Sequence, residues 1–158
     1  MDLQNKLDSV NITTKILKNK FIKDIVPKLA IIMVGNDRAN LLYVHMKERK
    51  AKRLGLSSFV NHLPSSITQD RLIDIIHPYN QNPEIDGILV QSPLPGHINE
   101  RQVDYEIDPQ KDVDGFTPEN MGKLLLNEKG FFPIACTPKG IMVLLKEYRV
   151  RLKRLTWS

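Results

Sequence analysis

Three short apolar runs alternate along the chain with segments in which apolar residues recur every three or four positions. That alternation of strand and helix patterns marks β-α-β units and a parallel sheet. "KLAIIMVG", Lys28 to Gly35, predicts the first strand, and "NDR" after it a turn. "ANLLYVHMKERKAKRLG" predicts a helix with Leu41, Leu42 and Val44 on its apolar face and Gly55 as its C-terminal stop. "SSFVNHLP" alternates and predicts a second strand. In "ITQDRLIDIIHPYN" a helix is expected from a Thr68 cap, with Leu72, Ile73, Ile75 and Ile76 inward and Pro78 near its end. Asp86 to Gln91 predicts the third strand, and its run Ile88, Leu89, Val90 has no polar alternation, so both faces should be covered.

Beyond Pro93 and Pro95, which stop that strand, the pattern turns helical. A short helix should start at an Asn99 cap, another at "TPEN" with Pro118 in its first turn, and a third in "CTPKGIMVLLKEYRV" with Thr137 as cap. Before Lys28, "ITTKILKNKFIKDIV" predicts an amphipathic helix. The expected fold is therefore α/β, a parallel sheet flanked by helices in three layers, and the length of 158 residues suits one domain.

Composition changes this picture little. Apolar residues at 41% and charged residues at 26% are ordinary for a globular protein. No apolar run approaches the roughly 20 residues of a membrane span, and "MDLQNKLDSV" has no secretory pattern, so a cytoplasmic location and no membrane partner are expected. A single cysteine, Cys136, cannot form an internal disulfide and reads as a small packed hydrophobe. The net charge of +5 points toward nucleic acid only if the cations cluster on the fold. Four of the 23 basic residues, Arg149, Arg151, Lys153 and Arg154, lie in the last ten positions, and setting these aside leaves 19 against 18 acids. The basicity belongs to a tail, residues 149–158, and no nucleic-acid partner is expected. A module binding nucleic acid through that tail and Trp157 stands as the reading from another class.

Candidate chemistry gathers at one sheet edge. Tyr43 and Lys47 lie four apart on the first predicted helix, hence on one face. A helix that follows a strand starts at the sheet's carboxyl edge, where Gln91 also falls and where open α/β sheets bind ligands. A phenol, an ammonium and an amide therefore converge. A lysine serves as acid or base near neutrality only when burial disfavours its charge, which from about 10.4 to about 7 amounts to roughly 4 to 5 kcal/mol. On pattern alone the same residues also read as an exposed lysine in "KERKAK" and a core tyrosine. "KDVDGF" offers two acids: an extended "DVD" would point Asp112 and Asp114 to one face toward a ligand's N–H donors, or the pair forms a turn held by local hydrogen bonds. The four histidines show no metal-ligand spacing, and no metal is expected. No two glycines stand close enough for a dinucleotide fingerprint, so no cofactor-binding residue is assigned.

Taken in order, "VGNDRANLLYVHMK", "DGILVQSPLP", "KDVDGF" and "CTPKGI" resemble the bifunctional methylenetetrahydrofolate dehydrogenase/cyclohydrolase family across roughly Lys28 to Tyr148. The resemblance implies a catalytic domain over residues 1–148 that binds a folate in a cleft facing a separate Rossmann domain for NADP. It implies two reactions: oxidation of the methylene bridge to a methenyl cation, and hydrolysis of that cation to 10-formyltetrahydrofolate. It assigns Lys47 as general acid/base, Gln91 as the group that holds Lys47, Tyr43 as the packing surface for the aminobenzoyl portion, and Asp114 as the anchor for pterin N–H groups. Asn40, at the place of the family's usual serine, and Pro93 join the substrate contacts, and Ser92 replaces the usual leucine. No counterpart of the Rossmann domain is present in these residues, so dehydrogenase activity is not expected from this chain alone. A folate-binding remnant without turnover is the nearest alternative, and the family's homodimer is expected to give way to a monomer.

Overall fold

The computed structural model describes residues 26–150; the helix expected over residues 12–26 and most of the basic tail lie outside them. Three strands form one sheet in the order β2-β1-β3: β1 (Lys28–Val34), β2 (Ser57–Leu63) and β3 (Gly87–Val90). Both pairings are parallel, with Ile31 opposite Val60 on one side and Leu89 on the other. Helices α1 (Arg38–Arg53) and α2 (Gln69–Gln81) are the crossovers, and α3 (Glu100–Tyr105), α4 (Pro118–Leu125) and α5 (Cys136–Glu147) follow β3. The expected α/β architecture, a parallel sheet between helices, is the observed one.

The unalternating apolar runs have a simple consequence. In β1 the even residues Ala30, Ile32 and Val34 face one cluster with Leu72 and Ile76 of α2 and Val103 of α3. The odd residues Ile31 and Met33 face another with Val44 of α1 and Leu89. Period two sends alternate side chains to opposite faces, so a strand covered on both must be apolar throughout. Each fully buried Ile or Leu contributes about 1.5–3 kcal/mol from the area it removes from water.

This arrangement positions the site. The chain leaves β1 toward α1 on one face and leaves β3 toward α3 on the other, although β1 and β3 are neighbours. Loops that part to opposite faces open a crevice at the carboxyl ends of the two strands. Gln91 stands at that point.

Local signals set most helix starts. Thr68, Asn99 and Thr117 each cap a helix by accepting from the backbone N–H three residues on, and Pro118 occupies the first helical position. Gly55, at φ +78, follows the end of α1 in the left-handed conformation that closes helices. Two expectations need correcting. Asp37, read as part of a turn, caps α1 by accepting from Asn40 N at 2.9 Å. Thr137 is not a cap: α5 already begins at Cys136 behind Ala135, which makes no side-chain cap bond. Pro138 is tolerated there because first-turn amides have no intrahelical acceptor to lose.

Candidate functional site

Asn40, Tyr43 and Lys47 follow one another at intervals of three and four on α1, so one helical face carries all three. Lys47 reaches the end of β3, where its Nζ donates to Gln91 Oε1 at 2.9 Å. Gln91 is 7% exposed, and its Nε2 donates to the Ser92 carbonyl at 2.6 Å. Both ends of the amide are therefore committed. The Ser92–Pro93 bond is cis, and Pro93 itself is exposed. Asn40 is 2% exposed, and its Nδ2 donates to the Pro93 carbonyl at 3.1 Å. Tyr43 is 56% exposed, so its ring is an open surface at the crevice rather than core filling.

A neutral acceptor against Lys47 has a chemical meaning. The Gln91 carbonyl takes a hydrogen bond from an ammonium or an amine alike, so it fixes the position of Nζ without locking its charge. A carboxylate there would favour the ammonium.

The two acids of "KDVDGF" part company. Asp112 turns inward at 3% exposure and gathers donors: Oδ1 accepts from Asp114 N at 3.1 Å and Gly115 N at 2.7 Å, and Oδ2 from Thr117 N at 2.9 Å and Asn120 Nδ2 at 3.0 Å. Of the two readings the spacing left open, these bonds make the turn held by local aspartate hydrogen bonds. Four N–H donors offer a buried carboxylate more than a strand would, and Asp112 holds the turn. Asp114, two residues on, is half-buried. Burial pushes Asp114 above the usual carboxylate range; the Lys47 ammonium opposes this, and Asp112 adds to it. The Lys47 ammonium is near enough to Asp114 to be felt by its carboxylate.

Sequence reasoning missed Asp104. It lines a cavity of about 10 Å³ with Ile88, Val90, Ile107, Asp112 and Asp114, room for about one water. Burial, then Asp112, Glu100 and Asp114, raise its pKa from 3.8 to about 6. Its place in "ERQVDYEID" resembles any polar helix position, so only the fold reveals it. Cys136, expected to pack in the core, is instead exposed on the first turn of α5. Partial burial and the Asp114 carboxylate push its thiol up, against Lys139 and Lys47, so a thiolate nucleophile is disfavoured.

The histidines serve the fold: His62 bonds to the Gly35 carbonyl, His97 to the Ile67 carbonyl, and His77 to Glu106. Among the described residues no group of three or more His, Cys, Asp or Glu could hold a metal ion, and no helix is long and apolar enough to cross a membrane.

Comparison with known proteins agrees with this fold. Residues 3–114 match the tetrahydrofolate dehydrogenase/cyclohydrolase catalytic domain. The bifunctional protein FolD of Levilactobacillus brevis is 50% identical over 131 residues, covering 83% of this chain and 46% of that protein. The FolD of Lactiplantibacillus plantarum is 52% identical over 126 residues, 80% of this chain and 44% of its own length. The crystal structure of the FolD methylenetetrahydrofolate dehydrogenase/cyclohydrolase from Campylobacter jejuni aligns with a TM-score of 0.79 at 39% identity, covering 96% of this chain and 52% of that one. The Trypanosoma brucei methylenetetrahydrofolate dehydrogenase-cyclohydrolase, solved with NADP cofactor and an inhibitor, aligns at 0.81 with 27% identity, covering 95% and 52%. The chain spans about half the length of the relatives it matches. With the matched domain covering most of its residues and relatives half identical along it, the chain belongs to the tetrahydrofolate dehydrogenase/cyclohydrolase family.

Proposed function

We propose that this chain binds a reduced folate at the carboxyl edge of its sheet and hydrolyses the methenyl form to 10-formyltetrahydrofolate. The observation that carries the reading is the Lys47 Nζ to Gln91 Oε1 hydrogen bond, which holds a proton-handling group at the crevice without fixing its charge. Tyr43 offers its open ring to the aminobenzoyl portion, and Asp114 accepts from the N–H groups of the pterin. Pro93 forms part of the wall beside them.

In the hydrolysis a water oxygen bonds to the methenyl carbon while Lys47, as the amine, takes the water's proton. Lys47, now the ammonium, returns that proton to N5 as the carbon's bond to N5 breaks, and the carbinol hydroxyl gives its own proton to solvent as the C=O of the formyl group on N10 forms. One water is consumed and one proton is released overall. General acid–base catalysis of this kind contributes about 10²–10⁴-fold.

NADP does not fit the described residues. The first turn of α1 is occupied by the Asp37 carboxylate, which repels phosphate, the first turn of α2 is capped by Thr68, and the glycines stand singly. No hydride step is derived for this chain.

The test is the hydrolysis of methenyltetrahydrofolate, followed by its absorbance without nucleotide, in the parent and in Lys47→Met. The parent should exceed buffer, and the variant should lose about a hundredfold or more. Equal rates in parent, variant and buffer would reduce the function to folate binding.

A further inference from the structure

We propose that Asn40 is a positioning residue, whose buried amide bolts the loop of residues 91–95 to α1 and so aims the Gln91 carbonyl at Lys47. The inference rests on the hydrolytic reading above, but its geometry can be tested separately.

A glutamine amide is nearly symmetric in shape, so its neighbours decide which end faces which way. Lys47 Nζ donates to Gln91, which calls for Oε1 on that side. That orientation requires an acceptor for Nε2, and the Ser92 carbonyl supplies it at 2.6 Å. The setting of Gln91 therefore depends on where the loop backbone sits. Pro93 and Pro95 have no N–H, so the loop cannot hold itself by a regular ladder, and its carbonyls need donors from elsewhere.

Asn40 supplies one: its Nδ2 donates to the Pro93 carbonyl at 3.1 Å, one residue beyond the carbonyl that Gln91 uses. On the other side Glu100 accepts from Leu94 N at 2.5 Å, and Ile98 N donates to the Pro95 carbonyl at 2.9 Å. Asn40 is itself fixed, with its backbone N–H on Asp37 Oδ1 and 2% exposure. Seven residues on, the same helix carries Lys47, so α1 grips the 91–95 segment at two points about 10 Å apart along its axis. The amide nitrogen expected to meet substrate is thus turned to the loop. Its effect on the reaction passes through Gln91.

The experiment compares the parent with Asn40→Leu, close to isosteric but without the donor, and Asn40→Ser, whose hydroxyl has a shorter reach. Two quantities are read: the side-chain amide signals of Gln91 in ¹⁵N–¹H spectra, assigned with Gln91→Leu, and kcat and KM for methenyltetrahydrofolate hydrolysis. Asn40→Leu should move the Gln91 amide signals, speed their solvent exchange, and lower kcat about tenfold at nearly constant KM. Asn40→Ser should fall between it and the parent. Unmoved Gln91 signals in a folded variant would overturn the proposal. Should Asn40→Leu fail to fold, the signals of Asn40→Ser decide. Should the parent show no turnover, the hydrolytic reading fails, and the amide signals alone decide whether Asn40 aims Gln91.

Discussion

At the scale of single residues, the contact that matters most joins an amide to an amine. Gln91 holds Lys47 by a neutral oxygen at 2.9 Å, which positions Nζ without placing a counter-charge beside it. Gln91→Glu keeps the reach and adds a charge, so it should hold the lysine as an ammonium. Its hydrolysis rate at neutral pH should fall about tenfold or more, while the dissociation constant for the folate changes little; a rate equal to the parent's would contradict the role given to the amide. That the two converge was legible in the sequence, since strand ends and the starts of the helices that follow share one sheet edge, and that Gln91 holds Lys47 was what the family resemblance implied. Asn40's bond to the Pro93 carbonyl was not, because a loop between prolines has no periodicity to read. Nor could spacing decide between the acids of "KDVDGF", which differ only in how the backbone turns.

At the scale of elements, the 112–120 segment hangs on one carboxylate. Asp112→Ala would leave the amides of Asp114, Gly115 and Thr117 without this acceptor and Asn120 Nδ2 with the Pro109 carbonyl alone. The loss should be about 2 to 4 kcal/mol, read as a lower urea midpoint at unchanged slope. Gly115 explains why this turn tolerates no bulk: at φ +75, a Cβ would lie 2.9 Å from the Pro133 carbonyl. Strands and most helix starts were legible because apolar runs and caps are local signals. The start of α5 was displaced, since Thr137 before a proline looks like a cap while the cap position falls on Ala135, two residues earlier. Asp37 was hidden in the same way, its "GNDR" context being equally good for a turn.

For the molecule as a whole, the acids around the small cavity tie stability to pH. Asp104 has its pKa raised from 3.8 to about 6, so the folded state holds a proton that the unfolded chain releases. Its unfavourable contribution is absent below about pH 3.8, grows as pH rises toward about 6, and is complete above that. Asp104→Asn should therefore raise the urea midpoint at pH 8 relative to the parent, with the difference closing as pH falls toward 4. A difference that stayed constant across that range would contradict the assignment.

The central claim is that one crevice separates binding from chemistry, with Asp114 holding the folate and Lys47 moving the proton. The most direct measurement titrates methenyltetrahydrofolate against the parent, Lys47→Met and Asp114→Ala by calorimetry and follows nucleotide-free hydrolysis in the same samples. Lys47→Met should bind within a few-fold of the parent yet lose about a hundredfold in turnover, and Asp114→Ala should lose binding by about tenfold or more. If Lys47→Met hydrolyses as fast as the parent, or Asp114→Ala binds as tightly, the division of labour proposed for this crevice is wrong.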